Sequence, residues 1–357
     1  MYFNTTYVII IQMKTAVFAY RKESPQSGLL TGKPELFKML EERGINAAVS
    51  LSAEAAFDSD GIENHGLLDD STTRRGGHVA LASVGIVVNR LDRSVKIDTL
   101  PKSWQDNMPP LENENAMRSL VYRKHRVQEE VFAPLDLGMP TLLVENILQI
   151  DSFVAENPSE YYILKPTSGT FSRNVHKLRA KDVADHLIAT DGFGKMILQP
   201  AYDFSIPLPS DVQPYDDASR EGFRAWNIAD VTKELRMYAF HSPESTSVFP
   251  VARAMKDGQD NWFFVDPESI PEKLIADTTR VIARAAKITG SRAIYAALDI
   301  GYGRLGVNAP DYHAIELNGL MPYMVGYDKH PGIAGKLRGH FADQIHQTMY
   351  GNSGKIE

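Results

Sequence analysis

Strand-like and helix-like hydrophobic patterns alternate from the start of the recognisable chain. Thr15–Tyr20 is a short, β-rich apolar run, and Arg21–Gly32, with Pro25, Gly28 and Gly32, reads as a loop. Lys33–Arg43 carries Leu36, Phe37 and Leu40 at the spacing of one helix face, and Gly44 closes it. Ile45–Leu51 is the next strand, so the pattern predicts a β-α-β start and a parallel sheet with a right-handed crossover. Residues 52–78 are polar and Gly-rich and read as a long loop. Val79–Asn89 reads as one further strand that delivers Asn89 and Arg90 to its C-terminal end, where α/β folds place ligands.

A second unit starts near residue 110. Glu112–Phe132 reads as a charged helix, and Met139-Pro140-Thr141 leads into a strand at Leu142–Val144. From Tyr161 the strands look longer and antiparallel: Tyr161–Lys165, Lys195–Gln199, Lys233–His241, Ser247–Met255 and Trp262–Val265. Helical periods interrupt them at Ala180–Ala189 and Glu272–Thr289. Ser205–Thr232, with three prolines and no period, reads as a loop insertion.

Composition narrows the class. A chain of 357 residues with 43 % hydrophobic and 23 % charged residues buries a core, which excludes disorder as the main state. A net charge of −7 argues against a nucleic-acid binder that works by neutralising phosphates. Cysteine is absent, which excludes disulfides, thiolate zinc sites and cysteine nucleophiles and suits a cytoplasmic protein. The run Tyr7–Ile11 falls well short of the ~18–20 residues of a membrane helix and lacks a signal-peptide flank, so no membrane association is expected. Met13 looks like a fresh start into a buried strand, leaving residues 1–12 as an extension.

The richest chemistry lies late in the chain. Ala297–Gly301 and Tyr312–Gly319 both read as strands, and alternation puts Glu316 and Asn318 on one face with His313, Ile315 and Leu317 on the other. If the two strands pair, Asp299 joins Glu316 and Asn318, and hard oxygen donors converge as magnesium requires; the alternative is two surface acids on a hairpin. Tyr161–Pro166 ends on Lys165 and opens into the loop Thr167–Arg173, whose Ser168, Gly169, Thr170 and Ser172 can fold over phosphates or simply form a loop entry. Lys195–Pro200 ends on Leu198 and Gln199 before a proline, which is either an ordinary strand end or an unpaired edge that can meet a flat heterocycle. Arg236 and Arg253 each sit mid-strand among apolar neighbours, where a guanidinium either lies on a solvated face or binds a phosphate or carboxylate with two parallel N–H bonds.

The order of these motifs resembles the ATP-grasp family: Lys124 in a charged helix, Lys165 with its glycine loop, a strand-end pair, a strand arginine, then Asp299 and, after 16 further residues, Glu316-x-Asn318. Leu137-Gly138-Met139-Pro140-Thr141 looks like the passage that follows the first lysine helix in that family, and the α/β start resembles the domain preceding the grasp in glutathione synthetase and D-alanine–D-alanine ligase. The resemblance implies an N-terminal α/β domain over 13–108, a small grasp lobe over 109–195, a C-terminal lobe over 196–350 with the insertion 205–232, and a tail at 351–357. It implies ATP phosphates on Lys124 and Lys165 under the Ser168–Ser172 loop, adenine along Met196–Gln199, and the ribose near Asp203. It further implies magnesium, as two ions for which manganese substitutes, on Asp299, Glu316 and Asn318, and phosphoryl oxygens on Arg236 and Arg253. Gln199-Pro200 departs from the acid pair common at the family's adenine hinge.

The activity so implied is ATP-dependent activation of a carboxylate as an acyl phosphate, followed by capture by an amine. Its substrates are small molecules or peptides, and a homodimer is expected from the family. Asn89 and Arg90 are candidates for holding the carboxylate. A kinase of the same fold and a non-catalytic nucleotide-binding module are the alternatives. A dinucleotide dehydrogenase is disfavoured as a third alternative, because no Gly-x-Gly-x-x-Gly follows the first strand.

Overall fold

The computed structural model describes residues 13–20, 34–50, 60–64, 77–90, 100–107, 111–112, 115–168, 174–201, 232–256, 259–263, 266–302, 312–318 and 331–351. The chain divides into two compact units, Met1–Glu112 with Arg338–Glu357, and Asn113–Leu337.

In the first unit, β1 (Thr15–Tyr20) lies between β2 (Asn46–Ser50) and β5 (Val84–Arg90), and β6 (Leu111–Glu112) continues beyond β5. All three pairings are parallel. Val17, Ala19, Ala48 and Val87 pack with Ile62, Leu100 and Trp104 on one face. On the other face Phe18 meets Phe37 of α1 (Pro34–Glu41) at 5.2 Å between ring centroids. Covering both faces explains why β1 reads as apolar without alternation.

Two expectations change here. Residues 52–78 are not wholly loop, since β3 (Gly61–Asn64) and β4 (Gly77–Ala80) form an antiparallel hairpin. The single strand expected over Val79–Asn89 is two, because a 3-10 turn at Leu81–Ser83 separates β4 from β5. Ser83 Oγ donates to the Ala80 carbonyl at 2.8 Å, closing that turn without the glycine or proline that would have marked it. Past α2 (Lys102–Asp106), the unit is completed from the far end of the chain. The last helix, Pro331–Tyr350, places Asp343 2.7 Å from Arg43 Nε and offers the Met349 carbonyl to Lys14 Nζ at 3.1 Å. The stretch after Leu337 therefore belongs with the first unit rather than with a C-terminal lobe reaching residue 350.

The second unit opens with the stretch expected as one helix over Glu112–Phe132. It is broken: α3 (Asn115–Val121) ends, Arg123 adopts φ −111° and ψ 78°, and α4 (Lys124–Arg126) restarts the helix. The chain continues as a π-helix over Val127–Phe132 and a 3-10 turn over Ala133–Leu135.

A small antiparallel sheet follows, in the order β7 (Leu142–Leu143), β10 (Met196–Pro200), β8 (Tyr162–Pro166), β9 (His176–Leu178). Its inner face, with Tyr162, Leu164, Met196 and Leu198, is covered by Ile150 and Phe153 of α5 (Ile147–Glu156) and by Val183 and Leu187 of α6 (Ala180–Thr190). β10 is hydrogen-bonded into this sheet through Pro200, past the boundary expected at residue 195.

The large sheet is antiparallel, in the order β13 (Gln259–Phe263), β12 (Thr246–Lys256), β11 (Thr232–His241), β14 (Ile294–Tyr302), β15 (Tyr312–Asn318). The strand expected at Trp262–Val265 thus starts earlier, at Gln259, and residues 264–265 lie outside the described residues. Leu235, Met237, Ala296, Leu298 and Ile300 pack with Leu274, Val281 and Ile282 of α7 (Glu272–Thr289) and with Val127, Val131 and Phe132. Among the described residues no helix is long and apolar enough to cross a membrane.

Candidate functional site

The face of the large sheet turned away from α7 carries the charged residues. Arg236 on β11 stands opposite Asp299 on β14, and Asp299 stands opposite Glu316 on β15, so three strands contribute one straight row. Asn318 sits one row on, opposite Ala297. Asp299 is only 3 % exposed. Its two oxygens accept from Arg236 Nε and Nη2 at 2.5 and 2.6 Å, and Oδ2 also accepts from Asn318 Nδ2 at 2.8 Å. Lys124 Nζ stands 3.1 Å from Glu316 Oε1. Arg236 therefore spends its planar fork on Asp299, whereas the resemblance implied a fork turned to phosphate; the two groups are cross-strand neighbours and both are buried.

Strand β15 is irregular where it matters. Asp299 faces Glu316 but Ile300 faces Ala314, so Ile315 has no residue opposite it. This is a β-bulge, and it inverts the facing of everything before it. Tyr312, Ala314 and Leu317 all reach the buried cluster beneath the sheet. His313, expected to share a face with Ile315 and Leu317, instead stands opposite Gly301, on the Asp299 and Glu316 face. It is 2 % exposed. Burial pushes its pKa down, opposed in part by a hydrogen bond with the Gly138 backbone.

Strand alternation in the small sheet puts Lys165 and Gln199 on the face opposite α5 and α6, with Lys165 facing Ile197 and Gln199 facing Ile163. Gln199 Nε2 donates to Thr141 Oγ1 at 2.7 Å. Leu198 is different: its side chain lies in the helix-covered cluster, and its main chain has partners in both Leu164 and Leu142. A strand interior does not offer the free edge expected there. The end of β8 is tied to the lysine helix, since the Lys124 N–H donates to the Thr167 carbonyl at 3.0 Å. That link brings Lys124, Lys165 and the exposed Ser168 to one place.

Gly169, Thr170, Ser172, Asp203, residues 1–12 and nearly all of the 205–232 insertion lie outside the described residues, as do the side chains of Asn89, Arg90 and Arg253. By register, Asn89 and Arg90 end β5 opposite Ala19 and Tyr20, and Arg253 pairs with Glu234 and Trp262.

Whether these groups suit a cation is decided by the donor set. Two carboxylates face each other across β14 and β15, and the Asn318 amide, by donating through Nδ2, has its carbonyl oxygen left to coordinate. All are hard oxygen donors. Among the described residues no three His, Cys, Asp or Glu side chains gather as a metal cluster. A site of this kind fits magnesium, which is commonly held by one or two carboxylates and completed by phosphates and water.

Sequence reasoning missed Gln128. It is 4 % exposed, and its side chain reaches the main chain of the bulge. The available signal was a lone amide among Val127, Val131 and Phe132 on the buried side of a helix.

No protein-family model matches the chain, and no curated protein matches it in sequence. Solved structures do match in shape. The VanG D-Ala:D-Ser ligase from Enterococcus faecalis superposes with a TM-score of 0.60 at 11 % identity, over 95 % of this chain and 100 % of that one. The macrocyclase MdnC from Microcystis aeruginosa MRC, solved with the precursor peptide MdnA, gives 0.53 at 16 % identity over 93 % and 99 %. The ATP-grasp ligase PsnB, solved with a precursor variant, Mg and ADP, gives 0.53 at 14 % identity over 95 % and 100 %. The chain has the ATP-grasp fold, preceded by a parallel α/β domain.

Proposed function

We propose that this protein is an ATP-dependent ligase that activates a carboxylate as an acyl phosphate and joins it to an amine. The observation that carries the reading is the row Arg236, Asp299, Glu316, with Asn318 beside it and Lys124 on Glu316. Two acids placed face to face, with an amide oxygen beside them, present together the hard oxygen donors that a phosphate-bridged cation takes.

In this reading a substrate carboxylate oxygen bonds to the γ-phosphorus of ATP as the bond to the bridging oxygen breaks and ADP leaves. The amine nitrogen then attacks the acyl carbon, phosphate departs, and the amine proton is released. Asp299, Glu316 and Asn318 would hold magnesium, which neutralises phosphate charge so that an anionic carboxylate can approach. Two such ions, for which manganese would substitute, are part of the proposal. Lys124 and Lys165 hold phosphates, and Lys124 leaves Glu316 to do so. Arg236 fixes the orientation of Asp299 through two N–H bonds. Arg253, on the strand beside β11, keeps the assignment to the transferred phosphoryl group. Gln199 remains the candidate for the nucleotide base, and Asn89 and Arg90 for the substrate carboxylate. Positioning and electrostatic stabilisation supply the catalysis, with no covalent enzyme nucleophile.

The neighbours in shape include ligases of amino acids and of precursor peptides, so the assay pools both. Purified protein with ATP and Mg²⁺ is offered amino acids, di-acids, acidic peptides and amines, and products are read by mass. ADP formed only with a carboxylate and an amine, plus a mass equal to their sum less water, supports the ligase. A gain of one phosphate in a stable product would replace it with a kinase. Glu316→Gln should abolish turnover with the fold intact, and a fully active variant would sink the metal assignment.

A further inference from the structure

Two one-residue irregularities face each other beside the candidate site. The helix that begins with Lys124 widens into a π-helix over Val127–Phe132, and the strand that ends in Glu316 and Asn318 carries the bulge at Ile315. One side chain joins them. Gln128 Nε2 donates to the carbonyls of Ala314 and Ile315 at 3.1 and 3.2 Å, and its Oε1 accepts from the Met139 N–H at 2.9 Å. The Ala314 N–H donates to the Leu137 carbonyl at 2.9 Å, tying the same bulge to the same segment.

We infer that Gln128 is a positioning residue: its amide holds the β15 bulge open and thereby keeps Glu316 opposite Asp299 and within reach of Lys124. A bulge leaves main-chain groups without ladder partners, and buried carbonyls demand a donor. Gln128 supplies both bonds from a fully enclosed position. Without them, β15 recovers regular pairing by sliding one residue, which brings Ile315 opposite Asp299 and turns Glu316 toward the buried face. Lys124 opens the short α4 and Gln128 lies in the π-helix that continues it, and both side chains reach β15. Lys124 takes the Glu316 carboxylate while Gln128 takes the main chain just before it. The distance between the phosphate-binding lysine and the metal-binding acid is thus set by a contact that touches neither ligand. Irregular helical turns of this kind occur often at functional sites.

The inference rests on the reading of Asp299, Glu316 and Asn318 as metal ligands, and the test separates the two. Mn²⁺ binding to the full chain in saturating ADP is followed by electron paramagnetic resonance, and ADP binding in chelator is followed by calorimetry. Gln128→Met keeps the side-chain length and removes all three hydrogen bonds. It should weaken Mn²⁺ binding by about 10–100-fold, as expected when an outer partner of a metal ligand is lost, while metal-free ADP binding and cooperative melting persist. Gln128→Glu keeps the acceptor toward Met139 but turns a carboxylate on two carbonyls, and should show the same selective loss. Wild-type Mn²⁺ affinity in either variant overturns the inference. So does a loss of Mn²⁺ and ADP binding in equal measure, which would mark Gln128 as a packing residue. Glu316→Gln is the control: should it bind Mn²⁺ like the wild type, the metal reading falls and takes the role of Gln128 with it.

Discussion

Asp299→Asn tests the centre of the row, because it removes one charge and almost no volume. The Asp299 and Arg236 side chains are 5 % and 9 % exposed, so water cannot replace the lost partner. The substituted amide also turns an NH2 toward donors on both sides, Arg236 and Asn318, where the carboxylate accepted three bonds. Breaking a buried ion pair by removing one member costs about 3–5 kcal/mol, mostly from the uncompensated charge left behind. For a unit the size of Asn113–Leu337, each kcal/mol moves the melting temperature by ~2–4 °C, so the transition should fall by ~6–20 °C. Calorimetry on the full chain reads this directly. The double variant Arg236→Met with Asp299→Leu leaves no buried charge and should recover most of the loss, while Mn²⁺ binding stays absent. A deficit below ~1 kcal/mol in Asp299→Asn, the worth of a solvated surface pair, would refute the buried-row argument.

Two further outcomes can be measured on the segments packed around the same sheet. Burial pushes the Asp277 carboxyl up, but hydrogen bonds from Tyr312, Arg280 and Lys273 outweigh it and hold the group below its ordinary value. A depressed folded pKa stabilises above the unfolded value of ~3.9, and that contribution is lost as pH falls through the lower folded value. Asp277→Asn should therefore cost about 1–3 kcal/mol at neutral pH, by weakening the acceptor of the buried Tyr312 hydroxyl while the Lys273 and Arg280 side chains stay largely solvated, with the two stability curves converging in acid. Parallel curves at all pH values would contradict it. Gly138→Ala would bring a Cβ within 2.9 Å of the Ala133 nitrogen and 3.0 Å of its Cα, both backbone atoms with little room to give. It should cost about 1–3 kcal/mol. Because Gly138 lies between the Leu137 carbonyl and the Met139 N–H that anchor the bulge, it should also weaken Mn²⁺ binding, and an unchanged melting curve would show the segment to be slack.

Much of this arrangement can be read from local order in the chain. Helix α7 is legible from its apolar period, and its observed limits, Glu272–Thr289, are those expected. The β-α-β opening is legible because the apolar run of β1 and the helical spacing of Leu36, Phe37 and Leu40 are local signals, even though the strands find their backbone partners in other strands. Glu316 and Asn318 share a face by alternation alone, and Asp299 joins them once β14 and β15 pair.

The rest depends on partners distant in the chain. Arg236 meets Asp299 across 63 residues of separation, and no local feature distinguishes a fork aimed at a carboxylate from one aimed at phosphate. The strand at Met196–Pro200 sits in the small sheet because β7 and β8 flank it, which its own composition does not reveal. Alternation puts His313 on the wrong face because it assumes an unbroken strand, and the bulge at Ile315 breaks it. Local sequence determined which residue types occupy which strands and helices, since periodicity and turn chemistry act over a few residues. Tertiary structure decided register, and with it which side chains meet. A one-residue slip exchanges the two faces of a strand, and its cost is set by every contact on both faces together.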